Sequence, residues 1–170
     1  MRVAYQTHAP GHVIVAVRLG IPALVLIREP EDVIISNLVR HPERGVNGLL
    51  RGYVRFYQPL LHHREHLVTA TFDEVIGGRF GSVIRRVNDR FGTGFAEFEA
   101  TEENIQRCLY QIDQEWRRRR GPDGEYLERI VPRPSSMRDD LKEDLRHHYR
   151  TSGSAKLRDR AQAVYVRFAG

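Results

Sequence analysis

The sequence has little of what several protein classes require. Its 170 residues include a single cysteine, Cys108, so neither a disulfide framework nor a cysteine-based zinc site is available. The longest apolar stretch, residues 13–27, is interrupted by Arg18, Gly20 and Pro22, which argues against a membrane-spanning helix. The first residues also lack the basic, apolar and small-residue succession of a signal peptide. These absences predict a cytoplasmic protein.

The composition that remains is sufficient for one folded domain. Hydrophobic residues make up 41% of the chain, and neither internal repeats nor low-complexity linkers occur. We therefore expect a single domain over residues 1–170. The net charge of +5 and a pI near 9.7 predict an anionic partner, which leaves open nucleic acid, a membrane surface or a small polyphosphorylated ligand.

The order of predicted elements indicates an α/β fold. An apolar strand over residues 23–27 shows no alternation, which predicts burial on both of its faces. The pattern predicts a parallel sheet of about three strands followed by a helical C-terminal part. Further strands are predicted at residues 3–7 and 67–72, and helices at 12–19, 30–40, 49–61, after Asp73 to Gly92, 101–119, 135–149 and 154–168, with residues 45–52 as a connection.

The junction between the apolar strand and the next helix carries the most chemistry. Arg28 directly follows the strand, at the sheet edge where open α/β folds bind ligands, and Ser36 lies about two helical turns further on. A guanidinium can bind a phosphate by two parallel hydrogen bonds, and a hydroxyl can donate another. The alternative is that Arg28 merely caps the helix or pairs with Glu31, and that Ser36 only packs in the helix.

This segment, Arg28-x-Pro30-x-Asp32-x-x-x-Ser36, resembles the 3′-phosphate-binding motif of sulfotransferases, strand-Arg-x-Pro-x-Asp-x-x-x-Ser. The resemblance implies a three-layer, P-loop NTPase-like sheet. It also implies sulfuryl transfer from 3′-phosphoadenosine 5′-phosphosulfate to a hydroxyl or amine of a small molecule or glycan, with Arg28 and Ser36 binding the 3′-phosphate. No metal, nucleic acid or membrane partner is expected from it.

Other segments resemble family motifs in the same order along the chain. Residues 6–10 are similar to a Lys-Thr-His-x-Pro segment, which implies that His8 is the general base that deprotonates the acceptor, although Gln6 replaces the lysine. Residues 71–75 resemble a Tyr-Glu-Asp-Leu segment, which implies that Phe72 lies near the nucleotide. Residues 119–126 resemble a basic loop that closes over the nucleotide; its candidate residues are Arg119, Arg120 and Gly121.

One family element has no counterpart in the sequence. Sulfotransferases begin with a strand and a Pro-Lys-Ser-Gly-Thr-Thr loop that binds the 5′-phosphosulfate, and no such string occurs here. We therefore expect a domain that is incomplete at its N-terminus, either a fragment or inactive. The missing strand should leave a gap in the sheet or bring the strands that precede Arg28 and Phe72 together.

Two other functions have some support in the sequence. His62, Glu65 and His66 form an H-x-x-E-H string, and on an α-helix the two histidines share a face that suits a zinc hydrolase. The basic run from Arg117 to Arg120 and the high pI suit a nucleic-acid-binding module. This second class is the main alternative, although the sequence lacks a zinc knuckle or a recognisable recognition helix.

Overall fold

A computed structural model describes residues 6–120 and 136–170, without the side chains of residues 120 and 136–140. In these residues a small parallel sheet is combined with helices, so the chain has an α/β fold. The elements are α1 (Pro10–Arg18), β1 (Leu24–Ile27), α2 (Pro30–Arg40), α3 (Val46–Leu60), a 3₁₀ helix (Leu61–His66), β2 (Val68–Thr71), α4 (Phe72–Ile76), α5 (Phe80–Phe91), α6 (Glu102–Arg120), α7 (Ser136–Ser152) and α8 (Ala155–Ala169).

The sheet of the described residues has two strands rather than the expected three. β1 and β2 pair directly in parallel, in a register that runs from Leu24 beside Val68 to Ile27 beside Thr71. The two strands that precede Arg28 and Phe72 are therefore brought together, with no gap between them. The predicted strand at residues 3–7 is not formed at Gln6 and Thr7, and the rest of it lies outside the described residues.

One face of the sheet supports the main core. Val25 and Ile27 project from β1 towards α2, α3 and α8, which pack around them. The helix α2 starts where Pro30 fits a first turn and two acids, Glu31 and Asp32, lie at the positive end of the helix dipole. Its buried face consists of Ile34, Ile35, Leu38 and Val39. This layer places the carboxyl ends of both strands at one edge of the core.

The other face of the sheet is covered over β2 only. Val68 and Ala70 are buried there, and α5 packs against this strand. Leu24 and Leu26 of β1 are 42% and 46% exposed, so the prediction that this strand is buried on both faces is wrong. A continuous apolar run cannot show which face receives a covering helix, because its pattern is the same in either case.

The helix predicted at residues 49–61 is confirmed as α3, but it begins at Val46, so most of the predicted connection at residues 45–52 belongs to the helix. Gly48 and Gly52 both lie inside this helix, where a glycine is about 1 kcal/mol less favourable than alanine. The helix forms because its apolar face, which includes Leu50, Tyr53 and Val54, is buried in the core. Tertiary packing here outweighs the local preference of the two glycines.

The segment after β2 forms two helices and has a different cap from the predicted one. Thr71, rather than Asp73, is the N-cap of α4, and its hydroxyl accepts a hydrogen bond from the Glu74 backbone nitrogen at 3.2 Å. Gly78, at φ +78°, then separates α4 from α5. The predicted end of α5 at Gly92 is confirmed, since this residue has the left-handed conformation of a C-cap.

The remaining helices follow their sequence signals closely. The predicted starts near Thr101, Ser136 and Ser154 agree with α6, α7 and α8 to within one residue. Within the described ranges, no helix combines the length and the apolar character that crossing a bilayer requires.

Candidate functional site

Two chemistry-bearing side chains meet at the carboxyl ends of the strands. Ile27 and Thr71 are paired in the sheet, so the residues that follow them, Arg28 and Phe72, emerge side by side. The Arg28 Cζ atom lies 4.3 Å from the centroid of the Phe72 ring, which is a cation–π contact. The structure thus brings together two of the residues that the sequence motifs predict to bind the nucleotide. Their position is the edge at which open α/β sheets bind ligands.

The guanidinium of Arg28 is held on one side by an acid. Its Nη2 atom donates to Oδ2 of Asp32 at 3.2 Å. The ion pair of Arg28 is therefore formed with Asp32 and not with Glu31. Nε is buried and has no acceptor among the described residues. The side chain keeps 25% of its surface exposed, which leaves part of the donor fork open to a ligand.

Ser36 lies one turn further along the same side of α2. Asp32, Ser36 and Arg40 follow one another at intervals of four residues, which aligns them along one helix face. Nη2 of Arg40 donates to Oγ of Ser36 at 3.0 Å, so the serine hydroxyl can use its own proton for a further acceptor. Together with Arg28 and Phe72, these three residues are called the strand-tip cluster below.

Two tyrosines of α3 fix the backbone on which Arg28 is carried. The hydroxyl of Tyr53 donates to the carbonyl oxygen of Arg28 at 2.9 Å, and that of Tyr57 donates to the carbonyl oxygen of Leu26 at 2.8 Å. Burial raises the pKa of Tyr57 to about 12. Burial also raises the pKa of Tyr53, and the neighbouring Tyr57 and Glu29 raise that pKa further. Both hydroxyls therefore remain protonated donors at neutral pH.

These hydrogen bonds also close an edge of the sheet. The two carbonyls belong to alternate residues of the β1 segment, and the two tyrosines lie one helical turn apart, so their spacings match. Since β2 pairs with the opposite edge of β1, Tyr53 and Tyr57 occupy the side on which a further strand would bind. The structure therefore uses both tyrosines as supports of the strand.

Sequence reasoning missed one side chain that lies near the strand tips. Tyr165 of α8 has its pKa raised by burial and by the charges of Glu29, Asp73 and Asp32. Tyr165 therefore lies within electrostatic reach of the cluster residue Asp32 and of Glu29 and Asp73, which are next to the two strand tips. The sequence offers no signal for this relation, because nothing in the local pattern of α8 connects Tyr165 with a strand more than one hundred residues earlier.

The other nominated residues are not brought to this cluster by any hydrogen bond or ion pair with described residues. His8 is exposed in the segment before α1 and makes no such contact. Arg119 donates from Nε to Oε1 of Glu115 in its own helix at 2.6 Å. Arg120 ends α6 but its side chain lies outside the described residues, as does all of Gly121.

The basic run at the end of α6 is partly neutralised within that helix. Arg117 pairs with Asp113, while Arg118 and Arg119 both pair with Glu115. The hydrogen bonds of these last two arginines lower the pKa of Glu115. The run is therefore less cationic than the sequence alone suggests, which is the ordinary behaviour of a solvated helix surface.

The geometry does not favour the zinc interpretation. His62, Glu65 and His66 lie in the 3₁₀ helix, and this helix has three residues per turn. Residues four apart therefore point about 120° apart, and the shared face expected for an α-helix is lost. In the two stretches that the structure describes, no group of three or more histidine, cysteine, aspartate or glutamate side chains is arranged to hold a metal ion.

A comparison with known proteins found no matching family model, no matching curated protein and no matching solved structure. A functional interpretation therefore depends on the motif and on the strand-tip cluster.

Proposed function

We propose that this chain is a sulfotransferase domain of the P-loop type and that its strand-tip cluster binds the 3′-phosphate of 3′-phosphoadenosine nucleotides. Arg28 and Ser36 are the binding residues, and Phe72 supports the guanidinium of Arg28. In the reaction of such a domain, the sulfuryl group moves from the nucleotide to a hydroxyl or amine acceptor, and His8 is the candidate base. The proposal joins the motif in the sequence to the contacts at the strand tips.

The observation that carries this proposal is the placement of Arg28 and Ser36 on the same side of α2. Arg28 reaches Asp32 in the first turn, and Ser36 lies four residues beyond Asp32, a distance of about 6 Å along the axis. A phosphate above this turn meets a guanidinium at one end and a serine hydroxyl at the other. Arg40, which already contacts Ser36, adds positive charge at the second end.

The carboxylates around the cluster set the expected strength of binding. Glu29, Asp32 and Asp73 repel an incoming phosphate, and Asp32 also occupies one donor of Arg28. We therefore expect weak binding of adenosine 3′,5′-bisphosphate by this chain. We expect no turnover, because the sequence contains no loop of the kind that positions the 5′-phosphosulfate.

The test is calorimetric titration of the purified chain with two nucleotides. Adenosine 3′,5′-bisphosphate should bind more tightly than adenosine 5′-monophosphate, which lacks the 3′-phosphate. Arg28→Ala should reduce this preference by about tenfold or more, since charged hydrogen bonds contribute about 1.5–3 kcal/mol. Ser36→Ala should reduce it by a smaller factor.

The matched control is Arg90→Ala, which removes an exposed arginine from α5. This variant has the same change in net charge and should keep the preference of the wild type. Circular dichroism should show that all variants are folded. Equal preference for the bisphosphate in the wild type and in Arg28→Ala would refute the proposal, as would equal binding of both nucleotides by the wild type.

A further inference from the structure

A concave surface lies between α3 and α8, away from the strand-tip cluster. It has a volume of about 410 Å³, which is within the range of sites for small ligands. We call it the α3–α8 groove. Its lining consists of Arg51, Val54, Arg55, Gln58, Pro59, His62, Leu157 and Arg160.

The lining contains three arginines and no carboxylate. Arg51 and Arg55 are exposed on α3, and neither makes a hydrogen bond or ion pair with the described residues. They are also the only charged residues of this 15-residue helix. Like charges four residues apart destabilise a helix by about 0.2–0.5 kcal/mol, so the arrangement is unfavourable unless an anion compensates it.

Arg160 brings the third guanidinium from the opposite side of the groove. Its Nε and Nη2 atoms both donate to Oε1 of Gln58, at 3.0 and 2.7 Å. The amide oxygen positions the guanidinium but carries no charge, so the positive charge of Arg160 is not neutralised. Gln58 follows Arg51 and Arg55 on the same face of α3, which directs all three cations towards one space.

Part of the groove lining is apolar. Val54 is buried, and Leu157 and Pro59 complete the non-polar part of the lining. An apolar wall suits a ligand in which the charged group is attached to an organic body.

We propose that the α3–α8 groove binds a small organic anion through a phosphate or sulfate ester group held by Arg51, Arg55 and Arg160. This site is separate from the strand-tip cluster, and the proposal does not depend on the proposed function. Phosphate and sulfate esters share the tetrahedral array of acceptor oxygens that a guanidinium binds. The test below includes both groups on the same sugar.

The test is NMR titration of the purified chain at low salt, with glucose 6-phosphate, glucose 6-sulfate and glucose as the probes. Binding is expected for at least one of the two esters and not for glucose, and it should weaken as salt is added. The double variant Arg51→Gln/Arg55→Gln should lose at least tenfold in affinity. Arg160→Gln should lose affinity as well, because it removes the third guanidinium.

The control double variant is Arg18→Gln/Arg90→Gln. It has the same change in net charge, and both of its residues are exposed and lie outside the groove. It should keep the affinity of the wild type; an equal loss in both double variants would attribute binding to net charge and overturn the proposal. Absence of binding by both esters would also overturn it.

Two further arms separate this site from the other interpretations. Arg28→Ala should bind the sugar esters as the wild type does, even if the nucleotide titration fails. A single-stranded oligonucleotide serves as the macromolecular probe. If Arg51→Gln/Arg55→Gln abolishes binding of the oligonucleotide while neither ester binds the wild type, the groove is a nucleic-acid surface and the proposal is wrong.

Discussion

The strand-tip cluster and the α3–α8 groove both contain arginines, but the arginines of the two sites have opposite surroundings. At the strand tips, Arg28 is half-buried, lies over Phe72 and is paired with Asp32. In the groove, Arg51 and Arg55 are exposed and have no acidic partner among the described residues. The first site is ordered at the expense of free positive charge, whereas the second keeps its charge but holds two of its arginines by no hydrogen bond or ion pair with the described residues.

The difference has a consequence for recognition. An arginine held by a ring and a carboxylate presents a defined edge, which favours geometric selection of one anion. Exposed arginines must be immobilised on binding, which costs side-chain entropy, but they exert a less compensated field on the ligand. We therefore expect selectivity at the strand tips and salt-sensitive, less selective binding in the groove.

The largest expected effect tests whether the two regions depend on one element, α8. Phe168 is 2% exposed and packs against the Tyr57 ring, while α8 also carries Tyr165 and Arg160. Phe168→Ala should lower the free energy of unfolding by about 3–5 kcal/mol, because it leaves a cavity in the core. Urea denaturation followed by circular dichroism measures this, and both binding activities should weaken together.

The matched control for this change is Val166→Ala on the same helix. Val166 is 58% exposed, so its truncation should alter stability by less than about 0.5 kcal/mol. If Phe168→Ala were as stable as Val166→Ala, the two regions would not share a core through α8.

An intermediate effect should separate the two regions. Tyr53→Phe removes the hydrogen bond to the carbonyl oxygen of Arg28 and leaves this acceptor unpaired. The expected cost is about 1–3 kcal/mol in the free energy of unfolding, with weaker nucleotide binding and unchanged sugar-ester binding. Chemical denaturation and the two titrations measure these quantities.

Tyr110→Phe provides the comparison for Tyr53→Phe, because Tyr110 is largely exposed on α6. Its stability should match that of the wild type. An equal loss of sugar-ester binding and nucleotide binding in Tyr53→Phe would show that the two regions are coupled rather than separable.

The smallest effect concerns pH and is confined to the strand-tip side. Burial by itself would raise the pKa of Glu74. The hydrogen bond from the Thr71 backbone and the contacts with Arg86 have the larger combined effect, and they lower this pKa below 4.5. A carboxylate with a lowered pKa in the folded state stabilises the fold above its unfolded pKa. That stability is lost as the pH falls from about 4.5 through the lowered value.

Glu74→Gln should therefore reduce stability at pH 7 by about 0.5–1 kcal/mol, a modest value because solvent screens the partly exposed carboxylate. Below pH 4 the difference from the wild type should shrink. Denaturation midpoints measured from pH 7 to pH 3 follow this trend. A difference that stayed constant across the range would exclude the titration of Glu74 as its cause, and binding in the groove should be insensitive to the change.

Local sequence signals were sufficient for most helices. Pro30 with two following acids marks the start of α2, and Gly92 marks the end of α5, because both signals act within one helical turn. The same kind of reasoning placed the start of α3 at residue 49 instead of Val46, because Gly48 and Gly52 indicated a connection. It also misplaced the cap of α4, since Thr71 with Glu74 forms the reciprocal pair that Asp73 cannot form.

The strand-tip cluster could be predicted in part. Parallel strands end at the same edge, so the proximity of Arg28 and Phe72 follows from the two strand predictions once the strands are neighbours. The pairing of Arg28 with Asp32 was not anticipated, because Glu31 and Asp32 are equivalent candidates until the orientation of α2 is known. Tyr165 could not be found, because its relation to the cluster is entirely long-range.

The sequence by itself determined the α/β class, the positions of most helices and the strand–Arg28–helix–Ser36 segment, because helix caps, apolar runs and motif spacing are local properties. The tertiary structure alone decided that β1 and β2 pair directly, that Tyr53 and Tyr57 close the edge of β1, and that Arg160 joins Arg51 and Arg55 in one groove. Arg160 and Gln58 are 102 positions apart, and only the packing of α8 against α3 brings such residues into contact.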